Sequence, residues 1–246
     1  MLGVKVEPIG LPRRVFAEAV GTGLLVTVVV GSGIAAQRLS PSDTGIQLFE
    51  NSTATAFGLT VLILMFGPVS GAHFNPVVTI ADWLLGRRHQ TGISGAHVGL
   101  YLVAQIVGGI AGAVLANAMF DLPAVQVSTT HRASTGHAIG EIVATAGLVA
   151  LIFLLARAGR QALSAAAVGA YIGAAYWFTS STSFATPAVT IGRVFTDTFA
   201  GIAAASMPLY IGAQILGAAR RSRPRRCPPS RHRSGRRRCG RAPSVH

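Results

Sequence analysis

Two proline-led stretches carry the side chains best placed to act on a solute: Asn75-Pro76-Val77-Val78-Thr79 and Thr186-Pro187-Ala188-Val189-Thr190. In each, the first residue can accept from an orphan backbone N–H at a helix start, and proline at the first helical position sacrifices no donor. The apolar pieces they open, residues 75–85 and 186–196, are too short to cross about 30 Å of hydrocarbon. Non-helical backbone at membrane depth is tolerated only against protein or a water-filled cavity, so the segments leading into both caps should line a path. Two carboxylates, Glu18 and Glu141, sit inside apolar runs. An acid there is either a proton relay or an acceptor for loop N–H groups, and the second role is favoured. His73 stands beside the first stretch and is read as packing or hydrogen bonding near one mouth. No His, Cys, Asp and Glu residues gather at ligand spacing, so neither a metal nor a cofactor is expected. With no Gly-x-Ser-x-Gly elbow and no aspartate pair within the membrane, no enzyme activity is expected either.

The elements that must hold these residues are membrane helices. Half of the 246 residues are hydrophobic and 12% are charged, and mean hydropathy is +0.52, a mix typical of polytopic membrane proteins. The 29 glycines suit close helix approach. Crossings are expected over residues 15–36, 52–66, 95–120, 137–156, 163–178 and 204–219. The first run follows Arg13 and Arg14 and is too long for the apolar core of a cleaved signal, so it should remain as a helix. Net charge is +13, yet 11 of the 21 Lys and Arg residues lie in 220–246, which holds no acid. The body is nearly balanced, and nucleic acid is not expected as a partner. Lys5, Arg13, Arg14, Arg87, Arg88, Arg157 and Arg160 fall on one face together with that tail, whereas Arg38 and Arg132 lie in loops of the other. The expected location is therefore the plasma (inner) membrane, multi-pass, with both termini cytoplasmic.

The two halves repeat. Phe16-Ala-Glu-Ala-Val-Gly-Thr-Gly-Leu-Leu-Val26 echoes Ile139-Gly-Glu-Ile-Val-Ala-Thr-Ala-Gly-Leu-Val149, pairing Glu18 with Glu141. The stretch from Asn75 to Asp82 matches the one from Thr186 to Arg193, and Leu100-Tyr-Leu-Val-Ala-Gln-Ile106 matches Leu209-Tyr-Ile-Gly-Ala-Gln-Ile215. An odd number of crossings per half inverts the second copy, so the two short pieces enter from opposite faces and meet near the midplane. Their positive ends together oppose cations and protons in the path. A channel or a transporter follows from the repeat alone.

Ser70-Gly-Ala-His-Phe-Asn-Pro-Val-Val-Thr79 resembles the first Asn-Pro-Ala box of the aquaporin (major intrinsic protein) family, and Ser183-Phe-Ala-Thr-Pro-Ala-Val-Thr190 resembles the second. The resemblance implies an all-α membrane protein with six transmembrane helices and two re-entrant half-helices in two inverted repeats. It also implies a homotetramer with one pore per subunit. The domain plan is a cytoplasmic N-terminus over 1–14, a channel domain over 15–219 with repeats at about 15–120 and 137–219, and a basic, Pro-rich, disordered tail over 220–246. Partners would be small neutral solutes and the lipid bilayer.

Carried over by resemblance, the pore boxes are Asn75, Pro76 and Val77, and Thr186, Pro187 and Ala188. Thr186 replaces the second asparagine; it can still cap, but it offers one hydroxyl instead of two N–H donors. Val189 occupies the place where most of the family has the filter arginine, which should leave a wider and more apolar constriction. Ser183 matches another filter position. Phe57 is the aromatic candidate in helix two, although spacing back from the box gives Thr55. Counting assigns Ala174 in helix five, and a shorter loop would bring in Tyr176. Arg193, one turn beyond Val189, could restore positive charge in the outer vestibule or could instead be held by Asp197 or a carbonyl.

The expected function is a passive channel for water, glycerol-like polyols and undissociated metalloid acids such as arsenite. A strictly water-selective channel, a secondary transporter and a non-conducting remnant stay open as alternatives. The remnant is considered because helix six reaches only about 24 Å before Arg220. The tail is expected to come from a frameshift or gene-model error, with a lipid-binding basic segment as its rival. Resequencing the locus separates them: an apolar frame continuing past Ala219 removes the tail.

Overall fold

The computed structural model describes residues 9–87 and 91–221, and no strand occurs among them. Residues 1–8 and the tail from 222 onward, with Cys227 and Cys239, lie outside the described residues. The first repeat holds α1 (Leu11–Leu39), α2 (Thr44–Ser70), α3 (Pro76–Gly86) and α4 (Gly95–Met119). The second holds α5 (Thr135–Arg157), α6 (Ser164–Phe178), α7 (Pro187–Gly192) and α8 (Met207–Arg221). The fold is all-α and aquaporin-like: six rods and two half-helices in two matching sets.

Helices α1, α2, α4 and α5, of 29, 27, 25 and 23 residues, are long and apolar enough to cross a bilayer. Helices α6 and α8 have 15 residues each, about 22 Å at 1.5 Å per residue. A 3-10 turn, Gln161–Leu163 or Ala204–Ser206, precedes each and lengthens the rod. The shortfall expected of the last helix is thus shared by α6, and α8 continues through Arg221 instead of stopping at 219. Helix α2 begins well before residue 52, because Asp43 caps it by accepting from Ile46 N at 3.0 Å. The buried Asn51 tolerates the helix interior by donating to Val29 O and Ser32 Oγ, both at 2.8 Å.

Lipid supplies no hydrophobic drive between helices, so close backbone contact has to hold the rods together. Helix α1 packs on α2 and α4, and α5 packs on α8. Gly108 and Gly112 of α4 lie against the carbonyls of Ala19 and Gly23 in α1, where any Cβ would collide. Thr27 adds hydrogen bonds to Gly23 O at 2.9 Å and Gly112 O at 3.1 Å. Gly217, the counterpart of Gly108, approaches Ile142 O, and a Cβ there would stand 2.6 Å from that oxygen.

Gly112→Leu should therefore force α1 and α4 apart, at a cost of about 1–3 kcal/mol. Thermal unfolding in detergent checks this: the midpoint should fall well below wild type, whereas Gly99→Ala, whose added Cβ meets nothing within 4 Å, should not lower it.

Candidate functional site

The site starts from two loops that cannot be left unsatisfied inside a membrane. After α2, Gly71, Ala72 and Phe74 take φ of +92°, +48° and +49°; after α6, Thr182, Ser183 and Ala185 take +58°, +49° and +51°. These are equivalent positions of the repeat, and each loop is bent the same way at the same places. Left-handed backbone at non-glycine residues is strained, so something must over-determine it.

That restraint is a fully buried glutamate in each repeat. Glu18 accepts from Ser70 Oγ at 2.6 Å, His73 N at 2.9 Å, Phe74 N at 2.8 Å and Gln105 Nε2 at 2.7 Å. Glu141 accepts from Phe184 N and Ala185 N, both at 2.9 Å, and from Gln214 Nε2 at 2.7 Å. Each glutamine also donates to a half-helix threonine, Gln105 to Thr79 at 3.0 Å and Gln214 to Thr190 at 2.9 Å. All peptides among the described residues are trans, so each carbonyl points opposite to the N–H it shares a plane with. With the N–H groups of His73, Phe74, Phe184 and Ala185 turned to the glutamates, the carbonyls of Ala72, His73, Ser183 and Phe184 face away from them.

A cavity of about 510 Å³ lies there, lined by both loops, both half-helix starts and the inner faces of α1, α2, α5 and α6. The helices contribute Leu25, Val29, Leu59, Leu148, Val168 and Ile172 among other apolar residues. The polar strip comes from the loops. At one end stand Asp82, Pro68 and Gln161, and at the other Thr55, Tyr176, Ser183, Val189 and Arg193, all five buried. Helices α4 and α8 do not line it; they hold the bracing glutamines.

Asn75 caps α3 by accepting from Val77 N at 2.9 Å, and it donates to Ala185 O at 2.8 Å, tying the first box to the second loop. The reciprocal contacts are missing. Thr186 makes no side-chain cap, and its buried hydroxyl has no partner. The cap expected of this threonine is therefore not formed, and with one short hydroxyl in place of an amide nothing reaches back to the first loop. Pro76, Val77, Pro187 and Ala188 are buried within the half-helices.

Two of the candidate filter residues lie off the cavity, and their sequence alternatives lie on it. Phe57 and Ala174 are exposed and share an outward depression with Trp177, while Thr55 and Tyr176 line the cavity, their hydroxyls 3.2 Å apart. Two residues along an α-helix is a turn of about 200°, which carries a side chain to the opposite face. Ser183 and Val189 are at the cavity, the Ser183 hydroxyl without a partner. His73 lines it near Asp82, with Nδ1 3.1 Å from Thr79 Oγ1 and Nε2 3.9 Å from Asp82.

Arg193 donates through Nε to Ala200 O and lies over the Phe184 ring, 3.5 Å from its centroid. Asp197 is not its partner; that carboxylate accepts from Thr129 N at 2.8 Å. Arg132, unremarked in the sequence as a site residue, donates to Gly201 O and Phe199 O at 2.8 Å each and lies 5.9 Å from the same ring. Burial pushes the Arg132 guanidinium down from its usual value.

The family model described as Major intrinsic protein matches residues 5–186. Aquaglyceroporin AqpS of Rhizobium meliloti (strain 1021) is 47% identical over 208 residues, covering 85% of this chain and 86% of the relative. Aquaporin Z of Photorhabdus laumondii is 35% identical over 150 residues, covering 58% of this chain and 61% of the relative. The X-ray structure of the aquaglyceroporin from Plasmodium falciparum superposes with a TM-score of 0.64 at 19% identity, over 85% of this chain and 93% of that one.

Glu141→Gln should leave one loop N–H facing an amide N–H2, a loss on the order of 2–3 kcal/mol. Detergent melting curves should shift down for this variant and for Glu18→Gln, and solute flux per folded protein should fall with them.

Proposed function

The chain belongs to the major intrinsic protein family, and on that footing we propose that it is a passive channel passing water and small uncharged solutes such as glycerol through the cavity described above. The observation that carries this is the cavity itself: apolar on its helix walls, lined by two loops whose carbonyls face away from buried glutamates, and entered at Asn75 and Thr186 by two half-helices. A solute moving through trades water for carbonyl oxygens on one side and apolar contact on the other, which suits a molecule with a hydroxyl edge.

Val189, which lines the cavity as Ser183 and Arg193 do, leaves more room than an arginine would. On this reading the passage admits solutes larger than water, undissociated metalloid acids such as arsenite among them. The protein sits in the plasma (inner) membrane with its termini cytoplasmic, as the Lys and Arg bias of its loops favours, and assembles as a homotetramer, as the family resemblance implies. The end with Asp82 and Gln161 is then the inner mouth.

Stopped-flow light scattering on proteoliposomes tests it. Water and glycerol permeation should both exceed empty vesicles, without saturation and without an ion gradient. Saturable, ion-coupled uptake would replace the channel with a carrier. Val189→Arg should lower glycerol flux at least about tenfold, equivalent to about 1.4 kcal/mol on the barrier, while water flux persists.

A further inference from the structure

The inverted repeat places two charged residues at equivalent positions, Asp82 and Arg193, and the cavity reaches both. Asp82 is committed elsewhere: its carboxylate accepts from Ile93 N at 2.7 Å and stands near His73. Arg193 is the harder case. It is buried to 2% exposure, and no carboxylate of the described residues lies within ion-pair distance. Its Nε is held by the Ala200 carbonyl and its plane by Phe184, so the guanidinium cannot swing away. A buried cation without an acid is costly unless it faces water, and Arg193 lines the cavity.

We propose that Arg193 is the cationic guard of this pore, doing from one turn farther along the second half-helix what Val189 cannot do from its own position. This rests on the channel reading above. The displacement separates two properties that one residue would otherwise couple. Val189 shares the cavity wall with Ser183 and the Thr55–Tyr176 hydroxyl pair and contributes only apolar bulk there, whereas the charge acts through space on anything that passes. At an effective dielectric of about 20, a unit charge a few ångströms from the path alters a cation's barrier enough to change its rate by tenfold or more. Neutral solutes feel it only as a donor. Arg132 adds to the same field through the shared Phe184 ring, but its Nε and one Nη are spent on the Gly201 and Phe199 carbonyls, so it serves as the brace.

The test uses full-length protein in proteoliposomes, reading water flux by light scattering and proton and potassium leak with a pH-sensitive dye and a potassium electrode. Arg193→Met keeps the packing on Phe184, Arg193→Gln keeps a donor for Ala200 O, and Arg193→Lys keeps the charge. Both neutral variants should still pass water above empty vesicles and, per unit of water flux, leak cations at least about tenfold more than wild type, while Arg193→Lys stays tight. Neutral variants that conduct water and remain tight overturn the assignment, as does a lysine variant that leaks like the methionine one. If neither neutral variant accumulates in the membrane while Arg193→Lys does, the charge serves folding and the proposal fails. Wild-type protein that passes no water would instead defeat the channel reading itself.

Discussion

Hydrocarbon offers a peptide group nothing to bond, and this chain meets that constraint twice with the same device. A glutamate about two turns into a long helix takes the N–H groups of a re-entrant loop, and a glutamine from a neighbouring helix ties that carboxylate to the threonine of a half-helix. Everything functional depends on this. The loops can hold left-handed backbone only because the donors are claimed, and the carbonyls face the other way only because the donors do. The cavity is the space those loops refuse to fill.

Symmetry makes the departures informative. Tyr101 donates to Ser70 O at 2.9 Å, while its counterpart Tyr210 is buried with no hydroxyl partner and meets the Phe184 ring edge to face instead, 4.9 Å between centroids. His73 near Asp82 in one half becomes Phe184 under Arg193 in the other. Asn75 reaches across to the second loop; Thr186 cannot reach back. The first half is therefore polar and cross-braced, and the second places an aromatic ring beneath a guanidinium. One backbone scheme supports two chemically different mouths.

The repeat was legible because it is written in residue identities: two glutamates, two glutamines, two proline starts, in register. Helix ends were less so. Residues 44–51 look polar for a membrane helix, yet α2 includes them because Asp43 caps it and Asn51 finds acceptors on α1. The cavity wall was legible only as alternatives. Residue type favours Phe57 where counting back from the box gives Thr55, and counting gives Ala174 where a shorter loop gives Tyr176; Thr55 and Tyr176 are the members that face the cavity. Each pair differs by two residues, about half a helical turn, and hydropathy cannot choose between them where lipid and pore walls are both apolar.

By itself the sequence determined that the chain folds into the membrane as two inverted copies with a proline-started stub in each, since hydrophobic length, repeated identities and cap chemistry are local properties. Only the tertiary structure decided which side chains meet the conduit and what holds them. Thr55 beside Tyr176, Arg193 between Phe184 and the Ala200 carbonyl, and Arg132 as its neighbour are all contacts between distant segments. Their register depends on how close glycine-lined helices approach and on how the loops turn, quantities no single stretch of sequence contains.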